Sequence, residues 1–151
     1  MDASSTPSRL TLVVVEDNEL DREKVERSLG RLPVVHPIVA ARDGIEALEL
    51  LRGAEGRPPL TRPYVVLLDM NMPRMSGLEF LAEMRSDPDL ACTPVFVLTT
   101  SDRTADVEAA YRYNVAGYLL KPLERGRLEQ TLHAAHAFWE ASLFPGEPLR
   151  S

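Results

Sequence analysis

Three segments of this chain are apolar without interruption: "LVVV" at residues 12–15, within "LTLVVV" at 10–15, "VVLL" at 65–68 and "PVFVL" at 94–98. A strand with one wet face alternates apolar and polar residues, so an unbroken run demands cover on both faces. A parallel sheet with helices on each side provides that cover, since parallel strands must be joined by helix-length crossovers. The intervening sequence supplies the crossovers. "ELDREKVERSLG" sets Leu20, Val25 and Leu29 along a helical stripe and stops at Gly30, and "DGIEALELLRG" points Ile45, Leu48 and Leu51 inward. "GLEFLAEMRSDP" does the same with Leu78, Leu81 and Met84. "VVHPIVAA" is a weaker strand beside Pro37, placed at an edge, and "AGYLLKP" is a short fifth strand. A helix at "SDRTADVEAAYRYN" has a thin apolar face of Val107, Ala110 and Tyr111, and a last helix runs from about residue 124 to 143. Five strands alternating with five helices, without internal repeats, predict a doubly wound α/β domain with right-handed crossovers.

Such folds collect their functional groups at the carboxyl ends of the strands. The first strand ends in Glu16 and Asp17, the third in Asp69, the fourth in Thr99 and Thr100, and the fifth in Lys121. Three acids gathered on one rim repel one another and raise each other's pKa values. A hard divalent cation relieves the repulsion, and Mg²⁺ takes one or two carboxylates with carbonyl and water oxygens. Asp17 and Asp69 are the expected ligands, with Glu16 acting through water. Lys121 adds a positive charge from the far side. A carboxylate beside a cation, with a lysine and a hydroxyl opposite, has the parts that phosphoryl transfer requires: positioning and charge neutralisation. Asp69 is then a carboxylate nucleophile, and Thr99 a hydrogen-bond donor to the phosphoryl oxygens.

Composition narrows the alternatives. A net charge of −6 argues against nucleic acid, which selects basic faces. "MDASSTPSR" has no apolar segment of a secretion signal, and no apolar run reaches bilayer length, so no membrane role is expected. The single cysteine, Cys92, cannot form an internal disulfide and is read as a packing residue, which suits a cytoplasmic location. His133 and His136 lie one helical turn apart but lack a third ligand in sequence and are read as surface residues, while His36, before a proline, is given no role. Met70, Met72 and Met75 are read as loop packing.

These motifs, in order, resemble the response regulator receiver domain of two-component signalling. "VVVEDN" is similar to its acidic pair, "LLDMNMPRMSG" to its phospho-acceptor loop, "VLTTS" to its threonine strand and "YLLKP" to its lysine-proline end. Asp69 precedes Thr99 by 30 positions and Lys121 by 52, the spacings expected of the family. The resemblance spans residues 10–136 and implies a flavodoxin-like sheet of receiver type. It implies that Asp69 accepts phosphate from a phosphohistidine on a histidine kinase and that the Asn71 backbone carbonyl completes the Mg²⁺ site. It further implies that Thr99 and Tyr118 move on phosphorylation, that Lys121–Pro122 is cis, and that Gly77 opens the following helix. Haloacid-dehalogenase-type phosphatases also use an aspartate after a buried strand, but their second aspartate is Asn71 here, whose amide cannot transfer protons. At most slow self-phosphorylation and self-dephosphorylation are expected, the latter with Asn71 and Ser101 near the water's path.

Only 30 residues follow Lys121, too few for a DNA-binding domain, so the expected output is contact with another protein. Residues 1–9 are expected to be flexible, 10–137 to form the receiver, and 138–151 to extend the last helix into a tail. Leu128, Leu132, Ala135, Trp139 and Leu143 share one stripe, and Trp139, Leu143 and Phe144 are expected beyond the core as an interface. This tail and the proline-rich loop before the third strand resemble single-domain response regulators paired with bacterial phytochrome kinases. That resemblance implies a phytochrome-type kinase partner and a homodimer through the C-terminal helix region.

Overall fold

The computed structural model describes residues 10–122 and 126–146. Its strands are β1 (Thr11–Val15), β2 (Ile38–Ala41), β3 (Tyr64–Leu68), β4 (Val95–Thr99) and β5 (Gly117–Leu120). They alternate with α1 (Glu19–Leu29), α2 (Gly44–Arg52), α3 (Gly77–Ser86), α4 (Thr104–Arg112) and α5 (Arg127–Ala141). All pairings are parallel, in the order β2-β1-β3-β4-β5, so β2 lies at an edge as expected and the short β5 forms the other edge.

The unbroken apolar runs divide by parity, as a pleated strand requires. Val13, Val15, Tyr64, Val66, Leu68, Val95 and Val97 face one side, with Leu48 and Leu51 of α2, Phe80, Leu81 and Met84 of α3, and Ala110 of α4. Leu12, Val14, Val65, Leu67, Phe96 and Leu98 face the other, with Val25 and Leu29 of α1 and Leu132, Ala135 and Trp139 of α5. Every side chain of β3 and β4 is buried, which makes these central strands a rigid mount for whatever follows them.

Local chemistry fixes where the helices begin. The Asn18 side chain caps α1, accepting from the Asp21 N–H at 2.9 Å. Ser76 and Glu79 form a reciprocal capping box at the start of α3. Gly77 is demanded by proximity: a Cβ there would lie 2.7 Å from Met70 Cα and 2.8 Å from the Asp69 carbonyl oxygen. Its N–H donates to the Met70 carbonyl at 3.0 Å, tying α3 to the end of β3.

Several side chains depart from expectation. Leu20 is 68% exposed and Ile45 41%. At about 100° per residue, five positions from Leu20 to Val25 turn roughly 140° off the stripe, and Ala47 takes the inward place in α2. Cys92 is exposed, because the turn after α3 carries it outward instead of into the packing. Trp139 is fully buried and Phe144 nearly so, both within the α1/α5 layer; only Leu143, at 64% exposed, projects. The β4 face presents Phe96, and the indole stacks edge-on against it at 5.8 Å, so the aromatic end of α5 completes the core instead of leaving it. The cis peptide among the described residues is Arg62–Pro63, and Lys121–Pro122 is not cis. Lys121 is placed instead by the ladder, its N–H donating to the Thr99 carbonyl at 2.7 Å.

Candidate functional site

The carboxyl ends of β1, β3, β4 and β5 meet at one rim. Asp69 directly follows β3, where its N–H donates to the Val15 carbonyl at 3.1 Å, and its side chain is buried. Oδ1 accepts the Thr99 hydroxyl at 2.9 Å and the Asn71 N–H at 3.2 Å. Oδ2 faces the Lys121 ammonium at 3.6 Å. Lys121 also pairs with Glu16 and lies 3.6 Å from Asp21. Carboxylate oxygens of Glu16, Asp17 and Asp69 lie within 4.8 Å of one another, Glu16 and Asp69 buried and Asp17 open to solvent. Lys121 therefore serves three acids, Glu16, Asp21 and Asp69, while Asp17 makes a fourth carboxylate on the same rim, so acids outnumber the ammonium that pairs with them.

The electrostatics follow from burial. Loss of water around Glu16, reinforced by the neighbouring Asp69, outweighs the attraction of Lys121 and pushes its carboxyl up to about 8. Burial alone would pull Lys121 down, but its hydrogen bond to Glu16 and the charges of Asp69 and Glu16 leave it raised. A raised acid and a raised base in contact mark a site short of positive charge. Three oxygen ligands of this kind fit a hard divalent cation.

A chain of contacts leads away from the rim. The Ser101 N–H donates to Thr99 Oγ1 at 3.3 Å, and the Tyr118 hydroxyl donates to the Ser101 carbonyl at 2.8 Å. Ser101 Oγ in turn donates to Asp106 Oδ2 at 2.6 Å, reaching α4. Burial raises the Tyr118 phenol above its ordinary value. The rim thus brings together Glu16, Asp17, Asp69, Thr99 and Lys121, with Tyr118 two links distant; Trp139 and Phe144 sit in the core elsewhere. Sequence reasoning missed Asp21, whose signal was an acid in the first turn of the helix following the acidic pair. It also missed Asp106, which had no signal beyond helical position.

A sequence profile of the response regulator receiver domain matches residues 12–133. The chain belongs to the response regulator receiver family. Receivers accept a phosphoryl group on an aspartate and pair with histidine kinases, and their acidic sites take divalent metal. The receiver is 35% identical over 139 residues to the response regulator Rcp1 of Synechocystis sp., covering 92% of this chain and 94% of that protein. It superposes with TM-score 0.82 and 35% identity on the phosphorylated cyanobacterial phytochrome response regulator RcpA, covering 91% of this chain and 99% of that one. A Mn²⁺-bound form of Rcp1 matches with TM-score 0.79 at 34% identity, covering 89% and 98% respectively. No helix among the described residues is long and apolar enough to cross a membrane.

Proposed function

We propose that Asp69 is the phospho-acceptor of this receiver, taking its phosphoryl group from a phosphohistidine of a partner kinase. The observation that carries this reading is the unlike treatment of the two Asp69 oxygens, one held by a hydroxyl at 2.9 Å and the other facing an ammonium at 3.6 Å. The carboxylate attacks phosphorus, an O–P bond forms as the P–N bond to imidazole breaks, and the imidazole departs. Lys121 balances charge on the phosphoryl oxygens. Thr99 turns its hydroxyl from Oδ1 toward a phosphoryl oxygen.

The all-oxygen rim suits Mg²⁺: Asp17, Asp69 and the Asn71 backbone carbonyl would hold it, with Glu16, engaged by Lys121, reaching it through water. When bound, the cation neutralises charge on the transferring group. The Mn²⁺-bound form of Rcp1 supports a divalent ion in this place.

Movement of Thr99 loosens its contact with Ser101, and Tyr118, bound to the Ser101 carbonyl, turns inward. The face of α4, β5 and α5 repacks, a local charge event biasing a two-state element, and a partner protein reads the change. The likeness to RcpA and Rcp1 supports a phytochrome-type kinase. The reading includes a cytoplasmic protein, slow hydrolysis of the acyl phosphate past Asn71 and Ser101, and a homodimer through the C-terminal helix region, whose large exposed apolar residues among those described are Phe138 and Leu143.

Acetyl phosphate with Mg²⁺ is expected to label the protein on Asp69, and Asp69→Asn or excess chelator to abolish the label. An Asp69→Asn protein that still gained acid-stable-to-blotting, hydroxylamine-sensitive label would refute the assignment.

A further inference from the structure

Two histidines that sequence placed 100 positions apart meet at the opposite end of the molecule from the acidic rim. His36 stands two residues before β2, between Pro33 and Pro37, whose rings restrict the backbone. The segment is fixed further by the Leu12 N–H donating to the Pro37 carbonyl at 2.9 Å. His136 lies in α5, and Glu140, four residues on, shares its face. Both histidines are buried, their rings edge-to-face at 5.1 Å. His136 Nε2 is 3.4 Å and His36 Nε2 3.9 Å from the same oxygen, Glu140 Oε1.

We propose that His36, His136 and Glu140 form a second metal site, taking a zinc-class transition ion. The distances argue for this. They exceed the usual 2.7–3.2 Å of an N–H···O hydrogen bond. Ligands about 2.0–2.1 Å from a tetrahedral ion stand roughly 3.4 Å apart, the separation that His136 and Glu140 already show. One ligand atom from each residue lies within 4.8 Å of the others, so side-chain rotation of about an ångström closes the set. Two imidazoles and one carboxylate favour zinc, cobalt, nickel or copper, whereas the all-oxygen rim favours Mg²⁺. Glu140, 40% exposed, leaves a solvent path and a position for water. The ion would staple the end of α5 to the segment before β2, and this holds whether or not Asp69 is phosphorylated.

The test uses the full chain in excess Mg²⁺, which keeps the rim supplied, titrated with Co²⁺. One equivalent is expected to give visible bands of a tetrahedral Co²⁺ site and to quench Trp139, the single tryptophan, whose ring lies 6.3 Å from that of His136. Zn²⁺ should displace Co²⁺ and raise Tm by about 5–10 °C at roughly a hundredfold excess over Kd. His36→Gln and Glu140→Gln should lose bands and quenching, and Asp17→Asn should keep them. Should His36→Gln fail to fold by circular dichroism, Glu140→Gln decides alone, since its side chain reaches solvent. Absence of bands at saturation, or bands that survive Glu140→Gln and vanish in Asp17→Asn, would overturn the site.

Discussion

The two faces of the sheet are built to different tolerances. On the α1/α5 face, Trp139, Leu132, Leu29 and Val25 are buried, and Phe144 closes the layer beyond the end of its helix. On the other face, α2 and α3 are equally well seated, but α4 contributes a single buried residue, Ala110, and its Arg103 N-cap makes no side-chain cap hydrogen bond. Tyr111 of α4 is 49% exposed and β5 is nowhere fully buried. The contact chain from Asp69 through Thr99 and Ser101 ends at Tyr118 and Asp106, in this weakly held region. Elements with few buried contacts open at low free energy. The charge event is therefore wired to the part of the fold that can respond cheaply, while α1 and the buried stripe of α5 (Leu132, Ala135, Trp139) hold the reference frame beneath the surface that repacks.

The largest expected difference tests that frame. Trp139→Ala should lose about 3–5 kcal/mol of unfolding free energy, measured in urea by far-ultraviolet circular dichroism. Tyr111→Ala should stay within about 0.5 kcal/mol. Equal costs for the two would erase the contrast between faces.

The rim, where Glu16 after β1 meets Lys121 after β5, gives the next effect. A carboxyl raised from 4.5 to about 8 holds its proton more tightly folded than unfolded. Its contribution is present below the ordinary value and lost as pH rises through about 8. In the absence of metal, stability should therefore decline across that window. Mg²⁺ requires the deprotonated rim, so its affinity should rise with pH, by up to about tenfold per unit below 8, with proton release on binding. Calorimetry in buffers of different ionisation enthalpy measures this; a flat affinity would show that Glu16 is already charged.

The smallest effect sharpens the picture most. Tyr118→Phe removes the hydrogen bond to the Ser101 carbonyl and should cost only about 0.5–1.5 kcal/mol. Amide exchange should quicken in α4 and β5 and stay unchanged in α1 and α5. Uniform acceleration would mean that the two faces open together.

Much of this was legible in the chain. Unbroken apolar runs require a sheet covered twice, and the residues that end those runs have to share a rim, which is why the sequence alone places Asp69, Thr99 and Lys121 together. What stayed hidden was tertiary. The helical stripe of α5 could not say whether Trp139 meets Phe96 or a partner chain, because both are apolar destinations. His36 and His136 carry no common motif, and only the return of α5 beside α1 brings them together. Leu20 and Ile45 show the cost of reading a stripe from hydrophobicity without counting its angle.

The inward fold of the tail has a practical consequence for anyone who engineers this protein. Phe144 belongs to the interior, and Gly146 holds φ +90° with Arg62 so near that a Cβ would fall 2.5 Å from its side chain. A reporter fused at residue 137, the boundary that strand and helix counting suggests, would amputate a tryptophan from the hydrophobic layer, so a working fusion needs its linker to start after residue 146.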